Sequence, residues 1–293
     1  MGELHATDVS ILGTGLMGAA IARRLREAGK SVTVWNRSPE KAADLVTDGI
    51  SRADSARAAL EASPISIVVI VGYDTVWDLI ANAGADLSQI AVVNLSSGTP
   101  EQALALSRRF DALGGRLLEG CILAYPSDIG SEEATLVFSG PTEIWDRAAD
   151  LLRLLGGRTQ YAGPRPETAN VIDVTILAFY TSAAAALLEA GAYARTYGLD
   201  FASLRPTLHE HVAALDRFVS AAADRISRQD YSVSQASLSI YLAAMEGVVE
   251  AMESSGFPVH VATGARDSVR LAQDAGRGDE DLYALYDALG SHP

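Results

Sequence analysis

The stretch from Val9 to Lys41, VSILGTGLMGAAIARRLREAGKSVTVWNRSPEK, constrains the fold more than any other part of the chain. The apolar run Val9 to Leu12 reads as a buried strand. It enters Gly13, Gly15 and Gly18 in GxGxxG spacing, continues as a helical pattern to about Gly29, and returns as a second strand at Ser31 to Trp35. Strand, glycine turn, helix and strand together form a β-α-β dinucleotide unit. In such a unit Gly13 permits the tight turn, Gly15 lets a pyrophosphate approach the backbone, and Gly18 lets helix and strand pack closely. The N–H groups of the first helical turn then face the phosphates. Thr14, Leu16 and Met17, between the glycines, belong to the same binding surface.

The end of the second strand bears on which dinucleotide is bound. An NAD site normally carries a carboxylate there for the ribose 2'-hydroxyl. This chain has Asn36, Arg37, Ser38 and, after one helical turn, Lys41. A guanidinium, a hydroxyl and an ammonium suit a 2'-phosphate, and Arg37 can also lie flat on the adenine. The expected cofactor is therefore NADPH/NADP. Ser38 and Pro39 equally read as an N-cap and first helical residue, with Arg37 a solvated charge; both roles are compatible.

The alternation continues down the chain. Helices are expected from Pro39 and near Ala53 to Glu61, then a buried strand from Ile65 to Val71, whose end places Val71 beside the cofactor. Asp74 is expected to cap the next helix. A strand at Ile90 to Leu95 leads to SSGTPEQA, where Thr99, Pro100 and Gln102 take cap, first and third helical positions. Strands at Arg116 to Leu123 and Ala134 to Phe138, a helix from Glu143 to Leu155 and a segment at Thr159 to Tyr161 complete a mostly parallel sheet covered by helices. Beyond GPRPE, at Gly163 to Glu167, the pattern becomes purely helical. Thr168 to Thr196 is one long Ala- and Leu-rich helix, followed by patterns at Pro206 to Ser227, Ser234 to Ser255, Val259 to Ala275 and Asp279 to Leu289. The acidic AGRGDEDL reads as a solvated turn and helix start. The fold class is α/β: a Rossmann-type parallel-sheet domain over residues 1–163, then an all-helical domain over 164–293 entered through a long interdomain helix.

Composition excludes several functions. With 37 acidic and 23 basic side chains the formal net charge is −14, which opposes nucleic acid or an anionic membrane as partner. Cys121 is the one cysteine, expected as a small buried hydrophobe. The start MGELHATDVS has neither a basic n-region nor an apolar h-region, and no run is expected to reach the length of a membrane span. These features lead to an expectation of a cytoplasmic protein without membrane contact. Histidine and carboxylate spacing offers no metal site.

Beyond the ILGTGLMG fingerprint, four stretches carry a resemblance over nearly the whole chain. They are WNRSPEK (Trp35 to Lys41), VNLSSGTP (Val93 to Pro100), GCILAYPSDIG (Gly120 to Gly130) with VFSGP (Val137 to Pro141), and NVIDVTILAFY (Asn170 to Tyr180). In these the chain resembles the 3-hydroxyacid dehydrogenase superfamily, and within it the NADPH-dependent imine reductases and reductive aminases. The resemblance implies a homodimer with intertwined helical domains, acting on an imine or on an amine plus a carbonyl. Hydroxyacid dehydrogenases of the superfamily use a lysine on the long helix and an asparagine one turn later; Asp173 and Leu177 stand at those positions. The only lysines in the chain are Lys30 and Lys41, both within the dinucleotide unit. Imine reductases carry aspartate or tyrosine there, which makes Asp173 the expected catalytic group.

A protonated imine is a cation that accepts hydride at carbon. A carboxylate on an apolar helix face offsets its charge and, if desolvation raises its pKa, delivers a proton. Asp173 also reads as a capping or core-satisfied aspartate. The resemblance further places Asn94 near substrate and nicotinamide ribose and Ser96 on the nicotinamide side. Asn94 equally reads as a strand-end residue bonding a loop. Tyr180, seven residues after Asp173 on the same helix, is expected to line the cleft, although the family's aromatic falls one place later, at Thr181. His209, His211 and Tyr241 are weaker lining candidates. A hydroxyacid dehydrogenase with another proton donor, a keto-acid reductase and a non-catalytic NADPH sensor remain alternatives.

Overall fold

The computed structural model describes residues 6–290. The first five residues of MGELHATDVS, and the outermost residues of both expected domain ranges, lie outside the described residues. Two compact units divide between Leu177 and Ala178.

The first unit is built on an eight-stranded sheet. Its strands are β1 (Val9–Leu12), β2 (Val32–Trp35), β3 (Ser51–Arg52), β4 (Ile65–Val68), β5 (Ala91–Asn94), β6 (Arg116–Leu123), β7 (Thr135–Ser139) and β8 (Arg158–Tyr161). The order is β3-β2-β1-β4-β5-β6-β7-β8, with every pair parallel except β6 and β7. The connecting helices are α1 (Leu16–Glu27), α2 (Ala43–Thr47), α3 (Ala56–Glu61), α4 (Tyr73–Ala83), α5 (Pro100–Ala112) and α6 (Thr142–Leu152). β1, β4 and β5 are buried along their whole length because helices cover both faces of the sheet, which is why they read as unbroken apolar runs. The chain leaves β1 for β2 and β3 on one side and crosses back to β4 on the other. This reversal opens a crevice outside the carboxyl ends of β1 and β4, the place where ligands bind in open α/β sheets.

Several elements differ from expectation for local physical reasons. The third apolar strand ends at Val68, and Val71 is 92% exposed. Beyond Val69, whose N–H bonds the Leu12 carbonyl, the chain leaves the ladder. Asp74 does not cap α4. Gly72, at φ 87°, is the N-cap, and Asp74 sits within the first turn. The two-residue β3 has too little apolar content to be recognised from pattern. Thr99 and Gln102 form the expected capping box of α5.

The second unit is helical. α7 (Thr168–Thr196) begins in the first unit and continues into it, followed by α8 (Phe201–Ser227), α9 (Leu238–Ser254), α10 (Val261–Ala272) and α11 (Leu285–Gly290). α8 begins before Pro206 because Asp200 caps it through Ser203 N–H at 2.8 Å; Pro206 therefore lies inside the helix. The acidic turn is not wholly solvated. Asp281 is buried and accepts bonds from the Ser234 N–H and hydroxyl, both at 2.8 Å. α9 correspondingly starts at Leu238, later than expected. One further expectation is corrected: α7 is long and apolar enough to cross a membrane, with an 18-residue window of mean hydropathy 1.9, none of it buried. α8 contains no buried residue either.

Candidate active site

The glycine turn after β1 is shaped by close packing. Gly13 has φ 107°, and a Cβ there would strike the Val69 carbonyl; one on Gly18 would strike the Gly13 carbonyl. Gly15 differs. Its Cβ position meets nothing within 4 Å, and it stands at the N-terminus of α1, which no side chain caps. The open side of Gly15 and the uncapped helix end form a cradle for a pyrophosphate. Asn36 ties this turn to the end of β2. Its Oδ1 accepts from Thr14 N–H at 3.1 Å and its Nδ2 donates to the Ser38 carbonyl at 3.0 Å. The Thr14 hydroxyl donates to the Lys41 carbonyl at 3.2 Å. Asn36 and Thr14 thus act by shaping the loop.

A cavity of about 910 Å³ extends from Gly13 and Gly15 past Asn36, Arg37, Ser38 and Lys41 to the start of α3 and along α4 as far as Ala83. Among the described residues no ion pair engages Arg37 or Lys41. Two uncommitted cations beside an open pyrophosphate cradle match a dinucleotide bearing a 2'-phosphate. The residues present fit NADPH.

A second cavity, about 310 Å³, shares Gly15 and Val69 to Val71 with the first, takes in Leu16 to Gly18, and continues past Leu95, Ser96, Gly120 and Cys121 to Asn170 and Asp173. The exposed Leu16 and Val71 and the partly buried Met17 form its apolar wall on the cofactor side. Asp173 stands on α7 within the first unit. Burial raises its pKa above the ordinary carboxylate value. Cys121 is buried, as expected, and its thiol is pushed up to about 12, first by burial and then by Asp173. Among the described residues no group of His, Cys, Asp and Glu is placed to hold a metal ion.

The remaining expected site residues are placed differently. Asn94 is fully buried: its Oδ1 accepts from Ser96 N–H at 3.1 Å and its Nδ2 donates to Glu119 Oε2 at 2.9 Å. Ser96 Oγ accepts from Ile70 N–H at 3.2 Å, so Asn94 and Ser96 join two of the segments that line the cavity. Tyr180 belongs to the second unit and is more than half exposed there. His209, His211 and Tyr241 also lie in that unit, and the exposed His211 ring nitrogen Nδ1 is 2.9 Å from the Thr207 carbonyl.

Sequence reasoning missed a buried polar cluster beneath the second cavity. Glu119, on β6, is completely buried; burial raises its pKa to about 8 against the opposing bonds from Tyr73 and Asn94. Tyr73 Oη donates to Glu119 Oε2 at 2.7 Å and accepts from Asn170 Nδ2 at 2.8 Å. Burial, then the Glu119 charge, raise the Tyr73 pKa as well. A glutamate inside the apolar run RLLEGCIL was the available signal, because an acid at a strand centre must find partners or stay neutral.

Comparison with known proteins agrees with this geometry. Residues 8–163 match the NAD binding domain of 6-phosphogluconate dehydrogenase, and residues 166–291 match the C-terminal domain of NADPH-dependent reductive aminase-like proteins. An NADPH-dependent reductive aminase of Aspergillus oryzae is 30% identical over 282 residues, covering 94% of this chain and 95% of that protein. Among solved structures, an imine reductase from Pseudomonas sp. superposes with a TM-score of 0.88 at 33% identity, covering 97% of this chain and all of that one. A reductive aminase from Aspergillus terreus, in complex with NADPH4, cyclohexanone and allyl amine, gives 0.89 at 29% identity, covering 97% and 99%.

Proposed function

This chain belongs to the NADPH-dependent imine reductases and reductive aminases and is an NADP(H)-dependent oxidoreductase, and on that premise we propose that it reduces cyclic iminium ions to amines with Asp173 as the acid or cation anchor. The observation that carries the role of Asp173 is its position: a desolvated carboxyl in the cavity that shares Gly15 and Val69 to Val71 with the dinucleotide cleft. NADPH, when bound, supplies the hydride that reduces the imine carbon. The protein binds the phosphates at Gly15 and the start of α1, takes the 2'-phosphate at Arg37, Ser38 and Lys41, and presents the apolar Leu16, Met17 and Val71 beside the reacting ring. Burial favours the neutral form of Asp173, so the carboxyl can donate its proton to a neutral imine nitrogen. The resulting carboxylate then lies against the iminium cation it has made. Asn94 and Ser96 hold the Ile70 and Ser96 segments in register, which keeps the cavity wall fixed.

The working form is a cytoplasmic homodimer with its functional domains divided at 163/164. Its support is the exposed apolar surface of α7, including Val174, Leu177 and Phe179, together with an α8 in which no residue is fully buried within one chain. Intertwined helical domains cover such surfaces. A panel of cyclic imines and ketones, followed by NADPH oxidation, tests the activity. Turnover of imines with little of ketones is expected; turnover of hydroxy acids or ketones alone would refute it.

A further inference from the structure

Glu119, Tyr73 and Asn170 form a chain of hydrogen bonds that crosses from β6 through the start of α4 to the first turn of α7. Glu119 Oε2 accepts from Tyr73 Oη at 2.7 Å and Asn94 Nδ2 at 2.9 Å, and Asn170 Nδ2 donates to Tyr73 Oη at 2.8 Å and to the Gly98 carbonyl at 3.0 Å. All four side chains are buried. Glu119 Oε1 and Asn170 Oδ1 are also buried, without a partner. Orphaned polar atoms of this kind are destabilising, and a core built for stability alone would fill the space with apolar groups.

We propose that Tyr73, itself held by Glu119, is a positioning residue for Asp173. The start of α7 has apolar contacts too, since Ala169 packs with Cys121 and Val137 and with the partly buried Ile172. Such contacts are non-directional, so they set how close the helix lies without setting its rotation about its own axis. The bonds from Asn170 to Tyr73 and to the Gly98 carbonyl are directional, and with the bond from Ala169 N–H to Ser139 Oγ at 2.8 Å they fix that rotation. Asp173 follows Asn170 by three residues, about 60° around the same helix face, so the rotation fixed at Asn170 decides where the carboxyl stands in the cavity. The same glutamate oxygen holds Asn94, and through it Ser96, so one buried acid aligns the helix that carries Asp173 with the loop that faces it.

The inference rests on the assignment of Asp173 as the reacting group, and its test separates the two. Tyr73→Phe keeps the ring and removes only the hydroxyl. Tyr73 is not among the residues that line either cavity. Amide hydrogen exchange is measured over residues 168–177, and kcat and KM for a cyclic imine are measured in the unmodified and Asp173→Asn backgrounds. We expect faster exchange over that segment with β1 and β5 unchanged. kcat should fall about three- to tenfold, as loss of one buried hydrogen bond would give, with little change in the KM for NADPH. In the Asp173→Asn background the further fall should vanish, because the two residues act as one unit. Asn170→Ala should reproduce the exchange result. Unchanged exchange over 168–177 overturns the inference, as does an equal fall in kcat with and without Asp173. If the unmodified protein reduces no imine, the proposed function fails, and the exchange measurement alone judges the tie to α7.

Discussion

Glu119→Gln converts the buried acid into a test of its protonation. The glutamine keeps the shape and one oxygen to accept from Tyr73 and Asn94, and places an amide where Glu119 Oε1 has no partner. In the folded chain the glutamate holds its proton up to about 8, against an ordinary value of 4.5. Between those values the unfolded chain has lost the proton and the folded chain has kept it. Wild-type stability therefore falls as pH rises through this window, and the full contribution is present only below it. A tenfold change in proton affinity is about 1.4 kcal/mol, which places a ceiling of about 5 kcal/mol on the loss above pH 8. The variant has no such proton to lose. At pH 5 both proteins carry one unpartnered polar group at this position and should agree within about 1 kcal/mol. At pH 9 the glutamine variant should be the more stable by several kcal/mol. Urea unfolding at both pH values, at one protein concentration, reads the difference, since every other titrating group is common to both. A difference that does not change between pH 5 and 9 would refute the reasoning and show Glu119 charged throughout.

Asp173→Asn should lower kcat for a cyclic imine by about ten- to a thousandfold with NADPH binding nearly unchanged. The wild-type rate should fall as pH rises through the raised pKa of Asp173, and a pH profile unaltered by the substitution would count against it as the acid. Arg37→Ala or Lys41→Ala should weaken NADPH by about 1 to 3 kcal/mol and leave NADH little affected; equal KM values for the two cofactors in the unmodified protein would contradict the 2'-phosphate site. Gly15→Ala should fold with wild-type stability, because its backbone is ordinary (φ −68°) and its Cβ position is empty, yet bind NADPH poorly in a titration. Sedimentation on dilution should show dimer dissociation only together with unfolding, and a folded, active monomer would end the dimer proposal.

The order of strands and helices, the glycine turn, the cationic end of β2 and the extent of α7 were legible in the sequence because each is a local pattern. Apolar runs mark strands covered on both faces, three glycines mark one turn, and a glycine-poor Ala and Leu stretch marks a long helix. Asp173 was legible only with the resemblance beside it, since one aspartate on an apolar helix has several local meanings. Tertiary structure decided the rest. Val71 reads as a strand residue and is instead exposed on a cavity wall, because Val69 bonds the end of β1 and the chain turns away there. Asn94 reads as a site residue, yet its side chain is spent on Ser96 and Glu119. Glu119, Tyr73 and Asn170 come together across 97 residues of sequence, from Tyr73 to Asn170. No periodicity records that meeting, because a hydrogen bond between distant side chains depends on the sheet order that juxtaposes their elements, and sheet order is a property of the whole packed chain.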